Sequence, residues 1–78
     1  MVAGAALRFV VCVDEAGVED ISLGVVYRVL ADEVAAREGF MRIVDDSGDD
    51  YLYPQERFIP IDVPKGDSDR VLAACAQR

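Results

Sequence analysis

The chain has 78 residues, 53% of them hydrophobic, with a formal net charge of −7, no histidine, no tryptophan and two cysteines. That length holds one domain, residues 1–78, and the apolar content argues against disorder. The missing imidazole removes the commonest general base and metal ligand, and the acidic excess opposes binding to nucleic acid or to an anionic membrane surface.

The first element is Leu7 to Val13 (LRFVVCV), a run of β-branched and aromatic residues that reads as a strand with apolar side chains on both faces. Cys12 within it reads as a small buried thiol. Residues 1–13 lack a basic leader, and Arg8 interrupts their apolar stretch, so they do not read as a secretory signal. No segment reaches the roughly 20 apolar residues that span a bilayer. A cytoplasmic location is therefore the expectation.

Asp14 opens an acidic loop that also carries Glu15, Glu19 and Asp20. Ile21-Ser22-Leu23 alternates, Gly24 breaks the pattern, and Val25 to Leu30 reads as the second strand. Ala31 to Glu38 favours a helical turn too short to stand alone, closed by Gly39. Phe40 to Asp45 and Asp50 to Tyr53 form the third and fourth strands around a turn at Asp46–Asp49, where Gly48 supplies a positive φ. Pro54 is expected to end the fourth strand, and Gln55–Arg57 suits one 3₁₀ turn. Phe58 to Val63 is a fifth strand, which Pro60 restricts to an edge or a terminus. Asp67 or Ser68 then caps a helix over residues 67–77, with Val71, Leu72 and Cys75 on one side.

The layout over residues 7–63 resembles an SH3-like barrel. The acidic segment stands where that fold has its long first loop, Ile21 to Val29 resembles the diverging turn, Asp46–Asp49 the distal hairpin and Pro54–Phe58 the 3₁₀ corner. The resemblance implies an all-β protein, an SH3-like five-stranded small barrel with a short C-terminal helix. The wording is also similar to a group of small bacterial and phage-associated proteins without assigned function. Their pattern VCxDxxG, LxxGxxYxV, IxDxSGxxYLYPxxxF is met here by Val11-Cys12, Asp14 and Gly17, by Leu23, Tyr27 and Val29, and by Ile43, Asp45, Ser47-Gly48, Tyr51 to Pro54 and Phe58. Peptide-binding SH3 domains use an aromatic groove. Here the first-strand tyrosines of that groove are absent, with Val13 and Glu15 nearby instead, Phe40 or Met41 replaces its tryptophan, and the corner is Pro54-x-x-x-Phe58, one residue longer than the usual form, so the fold carries over and the ligand does not.

Two carboxylate groups compete as sites. Asp45, Asp46, Asp49 and Asp50 read either as a cation site or as a solvated hairpin tip that keeps the edge from pairing. The EF-hand order is not met, and the expectation is no metal and no cofactor. Asp14, Glu15, Glu19 and Asp20 read either as a lip for a basic partner or as an ordinary solvated loop. Tyr51 and Tyr53 share one strand face, with Leu52 on the other. If Leu52 points inward the tyrosines form an exposed patch, and otherwise they are core. Tyr51 is the stronger candidate for exposure.

Ser22, Ser47, Ser68 and both cysteines lack a histidine partner, so no enzyme is expected. The leading expectation is a non-enzymatic interaction module whose binding face uses Asp14, Glu15, Glu19, Asp20 and Tyr51. The partner would be a protein with a basic surface or peptide, and the chain itself a monomer or weak homodimer. The alternatives are an acidic decoy for a nucleic-acid enzyme and a small accessory subunit stable only when paired.

Overall fold

A computed structural model describes residues 8–76. Leu7 and Gln77, expected at the two extremes of the folded elements, lie outside the described residues, as does most of the N-terminal segment read for a leader.

Five strands form one antiparallel sheet in the order β4-β3-β2-β1-β5: β1 (Arg8–Cys12), β2 (Val26–Leu30), β3 (Phe40–Val44), β4 (Asp50–Pro54) and β5 (Phe58–Ile61). A short helix α1 (Glu33–Arg37) links β2 to β3, a 3₁₀ turn (Gln55–Arg57) links β4 to β5, and helix α2 (Ser68–Ala76) follows a second 3₁₀ turn (Lys65–Asp67). The fold is mostly β with a short C-terminal helix. Among the described residues no helix is long and apolar enough to cross a membrane.

No ladder joins β4 to β5, so the sheet is not closed by hydrogen bonding into the expected barrel. It is nonetheless strongly curled. In a flat sheet the outer strands would lie about 19 Å apart, four spacings of about 4.8 Å. Here one 3₁₀ turn, advancing about 6 Å, connects them. The two edges meet through their side chains: the Phe58 ring stands edge-on to Tyr53 at 6.0 Å and to Tyr27 at 6.3 Å.

The concave face holds the core. Val10 and Cys12 from β1, Tyr27 and Val29 from β2, Ile43, Tyr53 and Phe58 pack together with Ile21 from the β1–β2 loop. The strand residues among them face inward by alternation, and the registers Val10↔Tyr27 and Val29↔Ile43 place these opposite one another. Burying an aromatic or branched side chain contributes roughly 1.5–3 kcal/mol, so this cluster carries most of the stabilisation in so small a domain. Burial also raises the pKa of the Cys12 thiol, consistent with its structural reading.

The convex face is covered too. Phe9 is 2% exposed although it points away from Val10, and α2 packs across β2 with the Cys75 thiol donating to the Val26 carbonyl at 3.4 Å. A two-faced strand is what the unbroken apolar run of β1 requires.

The element ends shift modestly from expectation. β1 stops at Cys12 and leaves Val13 outside, β3 stops at Val44, β5 stops at Ile61, and α2 begins at Ser68 behind the 3₁₀ turn. Pro54 is the last residue of β4 rather than its terminator, paired with Phe40. Hydrogen-bond phasing explains this. Asp45 N–H donates to the Asp49 carbonyl and Gln55 N–H to the Gly39 carbonyl, so the 45/49, 43/51, 41/53 and 39/55 pairs exchange bonds. Residues 50, 52 and 54 therefore turn their backbone groups away from β3. A proline at position 54 removes a donor the ladder never uses.

Candidate functional site

The β1–β2 loop and the β3–β4 hairpin, the two acidic segments, are joined at their bases. Asp46 N–H donates to the Asp20 carbonyl at 2.8 Å. Beside that bond, Tyr27 Oη donates to Asp46 Oδ1 at 2.9 Å, Ser22 Oγ donates to Asp46 Oδ2 at 3.0 Å, and Ser22 N–H donates to Tyr27 Oη at 2.7 Å. Both Asp46 oxygens thus hold the loop against the sheet.

Asp45 does the same from within the hairpin. It is buried, and its Oδ2 accepts from Tyr53 Oη at 2.7 Å. Its Oδ1 accepts from Ser47 N–H at 3.0 Å and from Ser47 Oγ. Gly48 N–H closes the turn onto the Asp45 carbonyl, and Gly48 has φ +88°, the left-handed residue that a three-residue hairpin loop needs. The serine and glycine of this turn therefore place the carboxylate that satisfies Tyr53.

Burial pushes the pKa of Tyr53 strongly upward, with Asp45 and then Asp20 adding to it. Burial likewise raises that of Tyr27, and the Asp46 carboxylate works in the same direction. Both tyrosines are held as neutral donors to carboxylates. This corrects the weighing of the hairpin tip as either a cation site or free solvated charge: of its four aspartates, Asp45 and Asp46 are structural acceptors. Asp49 and Asp50 are both exposed; Asp50 pairs with Arg42 at 2.9 Å, and Asp49 makes no ion pair among the described residues. Among the described residues no group of acidic or thiol side chains is arranged to hold a metal ion.

The first loop is different in kind. Asp14, Glu15, Glu19 and Asp20 are all exposed, and no ion pair among the described residues involves them. Its tip is ordered by its own backbone. Asp14 Oδ1 accepts from Ala16 N–H at 3.0 Å, Val18 N–H donates to the Glu15 carbonyl at 2.8 Å, and Ala16 and Gly17 take φ of 47° and 76°. Two successive positive φ values across an i to i+3 bond have the hand of a type I′ turn.

Tyr51 lies across the sheet on edge strand β4, opposite Ile43, so it faces the same side as Tyr53. Being at the edge, it stays 52% exposed, while Leu52 on the other face is 46% exposed. Neither simple alternative for the tyrosine pair therefore holds: Tyr53 is core and Tyr51 is surface on one and the same face. No hydrogen bond, ion pair or ring contact among the described residues links Tyr51 to the acidic loop.

Two features escaped sequence reading. Arg42 on β3 joins Asp32, the N-cap of α1, to Asp50 on β4. The Ala35 N–H and then the Arg42 guanidinium lower the Asp32 pKa, while Asp50 and then Asp32 raise that of Arg42. Arg28 lines a cavity of about 280 Å³ beneath α2 with Val44, Leu72 and Cys75, and its buried Nε has no hydrogen-bond partner among the described residues. An arginine inside a run as apolar as Val25–Leu30 was the available signal for the second feature.

Comparison with known proteins yields no match: no family model, no curated protein and no solved structure is significantly similar to this chain.

Proposed function

We propose that the chain is a non-enzymatic protein-interaction module with an SH3-like barrel, and that its acidic β1–β2 loop contacts a basic partner. The strand order β4-β3-β2-β1-β5, the 3₁₀ corner and the meeting of Phe58 with Tyr53 support the barrel reading. The observation that carries the binding reading is the loop itself. Four exposed carboxylates sit on a tip ordered by backbone hydrogen bonds, and none is engaged in an ion pair among the described residues. Exposed charge of one sign steers an oppositely charged partner and sets which partners are rejected. A cytoplasmic location and a monomeric or weakly dimeric state belong to the same reading.

Affinity capture from a cell extract at low and at moderate salt tests it, with Glu15→Gln/Glu19→Gln/Asp20→Asn as the control. A saturable partner recovered by the native chain, weakened by salt and lost with the control supports the loop as interface. Recovery of the same proteins by both chains removes the loop from the interaction.

A further inference from the structure

The two outer strands of the sheet differ in what they offer. On β5, Val13 N–H donates to the Arg57 carbonyl, so the ladder phasing turns residues 58 and 60 outward. Phe58 N–H is taken by the Gln55 carbonyl, and Pro60 has no N–H at all. That edge offers no free donor along residues 58–60. On β4 the outward residues are 50, 52 and 54. Among the described residues the N–H groups and carbonyls of Asp50 and Leu52 have no strand paired to them, whereas the Pro54 carbonyl already opens the 3₁₀ turn Gln55–Arg57.

Around that open edge the side chains are graded. Tyr51 and Leu52 at its centre are half-exposed apolar surfaces on opposite faces, joined by the 38%-exposed Phe40 of the adjacent strand. At one end stand the exposed Asp49 and Asp50, and at the other the exposed Glu56 and Glu38. Arg42, beside the centre of the edge, is already shared between Asp32 and Asp50.

We propose that the free edge of β4 accepts an extended segment of a partner protein as an added strand, with an apolar centre and basic flanks. Main-chain hydrogen bonds to Asp50 and Leu52 would supply affinity, and the charge grading would supply selectivity, the recurrent logic of strand addition at a sheet edge. This rests on the interaction-module reading and names the form of its ligand. A second copy of the chain fits worse. Antiparallel pairing about Leu52 sets the Asp49–Asp50 end of each copy against the Glu56 end of the other, acidic on acidic.

The probe is a short synthetic peptide of alternating valine and threonine with a lysine pair at each end, followed by amide hydrogen exchange of the full chain. In the free chain the Asp50 and Leu52 amides exchange readily while those of Tyr51 and Tyr53 are protected by the ladder. With the peptide, Asp50 and Leu52 are expected to slow by about tenfold or more. Leu52→Pro removes an outward donor without touching the β3–β4 ladder and is expected to weaken peptide binding at least about tenfold. If that variant melts early, the peptide N-methylated at alternate backbone nitrogens tests the same bonds from the ligand side. Unchanged Asp50 and Leu52 exchange at millimolar peptide overturns the proposal. So does protection that appears without peptide and grows with protein concentration, which would assign the edge to a second copy. If loop neutralisation abolishes partner capture while Leu52→Pro does not, strand addition fails and the loop reading stands. The opposite pattern removes the loop and keeps the edge.

Discussion

The hairpin and the first loop each carry four carboxylates in a short stretch, yet the fold uses them in opposite ways. In the hairpin, Asp45 and Asp46 turn inward to accept from Tyr53 and Tyr27, and so become part of the core's polar boundary. In the loop, Asp14, Glu15, Glu19 and Asp20 face water on a tip shaped by backbone turns. The difference lies in what is nearby. A buried tyrosine hydroxyl must find an acceptor, and a carboxylate within reach of one is drawn into structure. A carboxylate with no buried donor beside it remains available to another molecule.

The strongest way to break this contrast is Asp45→Ala. It strips the acceptor from the buried Tyr53 hydroxyl and from the Ser47 turn, so a loss of about 3 kcal/mol is expected, read by urea or thermal unfolding. For a domain of this size that moves Tm by on the order of 15 °C. Adding Tyr53→Phe removes the stranded hydroxyl, and the double variant should recover part of the loss; strict additivity would show that the two side chains are not coupled. The same pairs set an alkaline limit. Burial and the facing carboxylates raise the pKa of Tyr53 and Tyr27 above the unfolded tyrosine value of about 10. The folded chain then holds protons that the unfolded chain releases, so this stabilisation is complete below about pH 10 and is lost as pH rises beyond it. Stability that is flat across that range would contradict the assignment.

Asp46→Ala is expected to cost less, about 2 kcal/mol, because the Tyr27 hydroxyl keeps its bond from Ser22 N–H when its acceptor is lost. Its distinctive consequence is local. The loop base loses the side-chain bonds from Ser22 and Tyr27, so amides of residues 20–22 should exchange faster than those of β1 and β5. Uniform loss of protection across the sheet would place Asp46 in the global core instead.

Much of this architecture was legible in the residues. Two runs rich in β-formers flanking the Ser47-Gly48 turn located the hairpin, and Pro54 with Gln55–Arg57 located the corner, because strand propensity and turn chemistry are local properties. The roles of Asp45 and Asp46 were not legible. They depend on which face of β4 carries Tyr53 and on where the loop returns to the sheet, and both are set by tertiary register. Tyr51 shows the same limit: alternation placed it with Tyr53, but only its position on an outer strand keeps it half exposed. Closure of the sheet was also beyond local signals, since it depends on bonds between strands at opposite ends of the order.

Within the loop, the largest expected change is a gain. Ala16 holds φ 47°, a left-handed conformation that costs a residue with a Cβ roughly 1–2 kcal/mol and glycine little. Glycine also loses more freedom on folding, so Ala16→Gly should stabilise by a net of about 0.5–1 kcal/mol. A destabilised variant would mean that the turn tip relaxes out of that conformation in solution.

The smallest expected effect on stability is the most telling for function. Glu15→Gln and Glu19→Gln remove exposed charges that make no ion pair among the described residues, so unfolding free energy should stay within about 0.5 kcal/mol of the native chain. Partner association should nevertheless slow, and its dependence on salt should flatten, because exposed charge acts mainly on the encounter rate. A pair of variants that leaves stability untouched while cutting the association rate separates a binding face from a merely solvated one. If association is unaltered as well, the loop carboxylates serve solubility alone, and the contrast with the hairpin becomes one between structure and solvent rather than between structure and recognition.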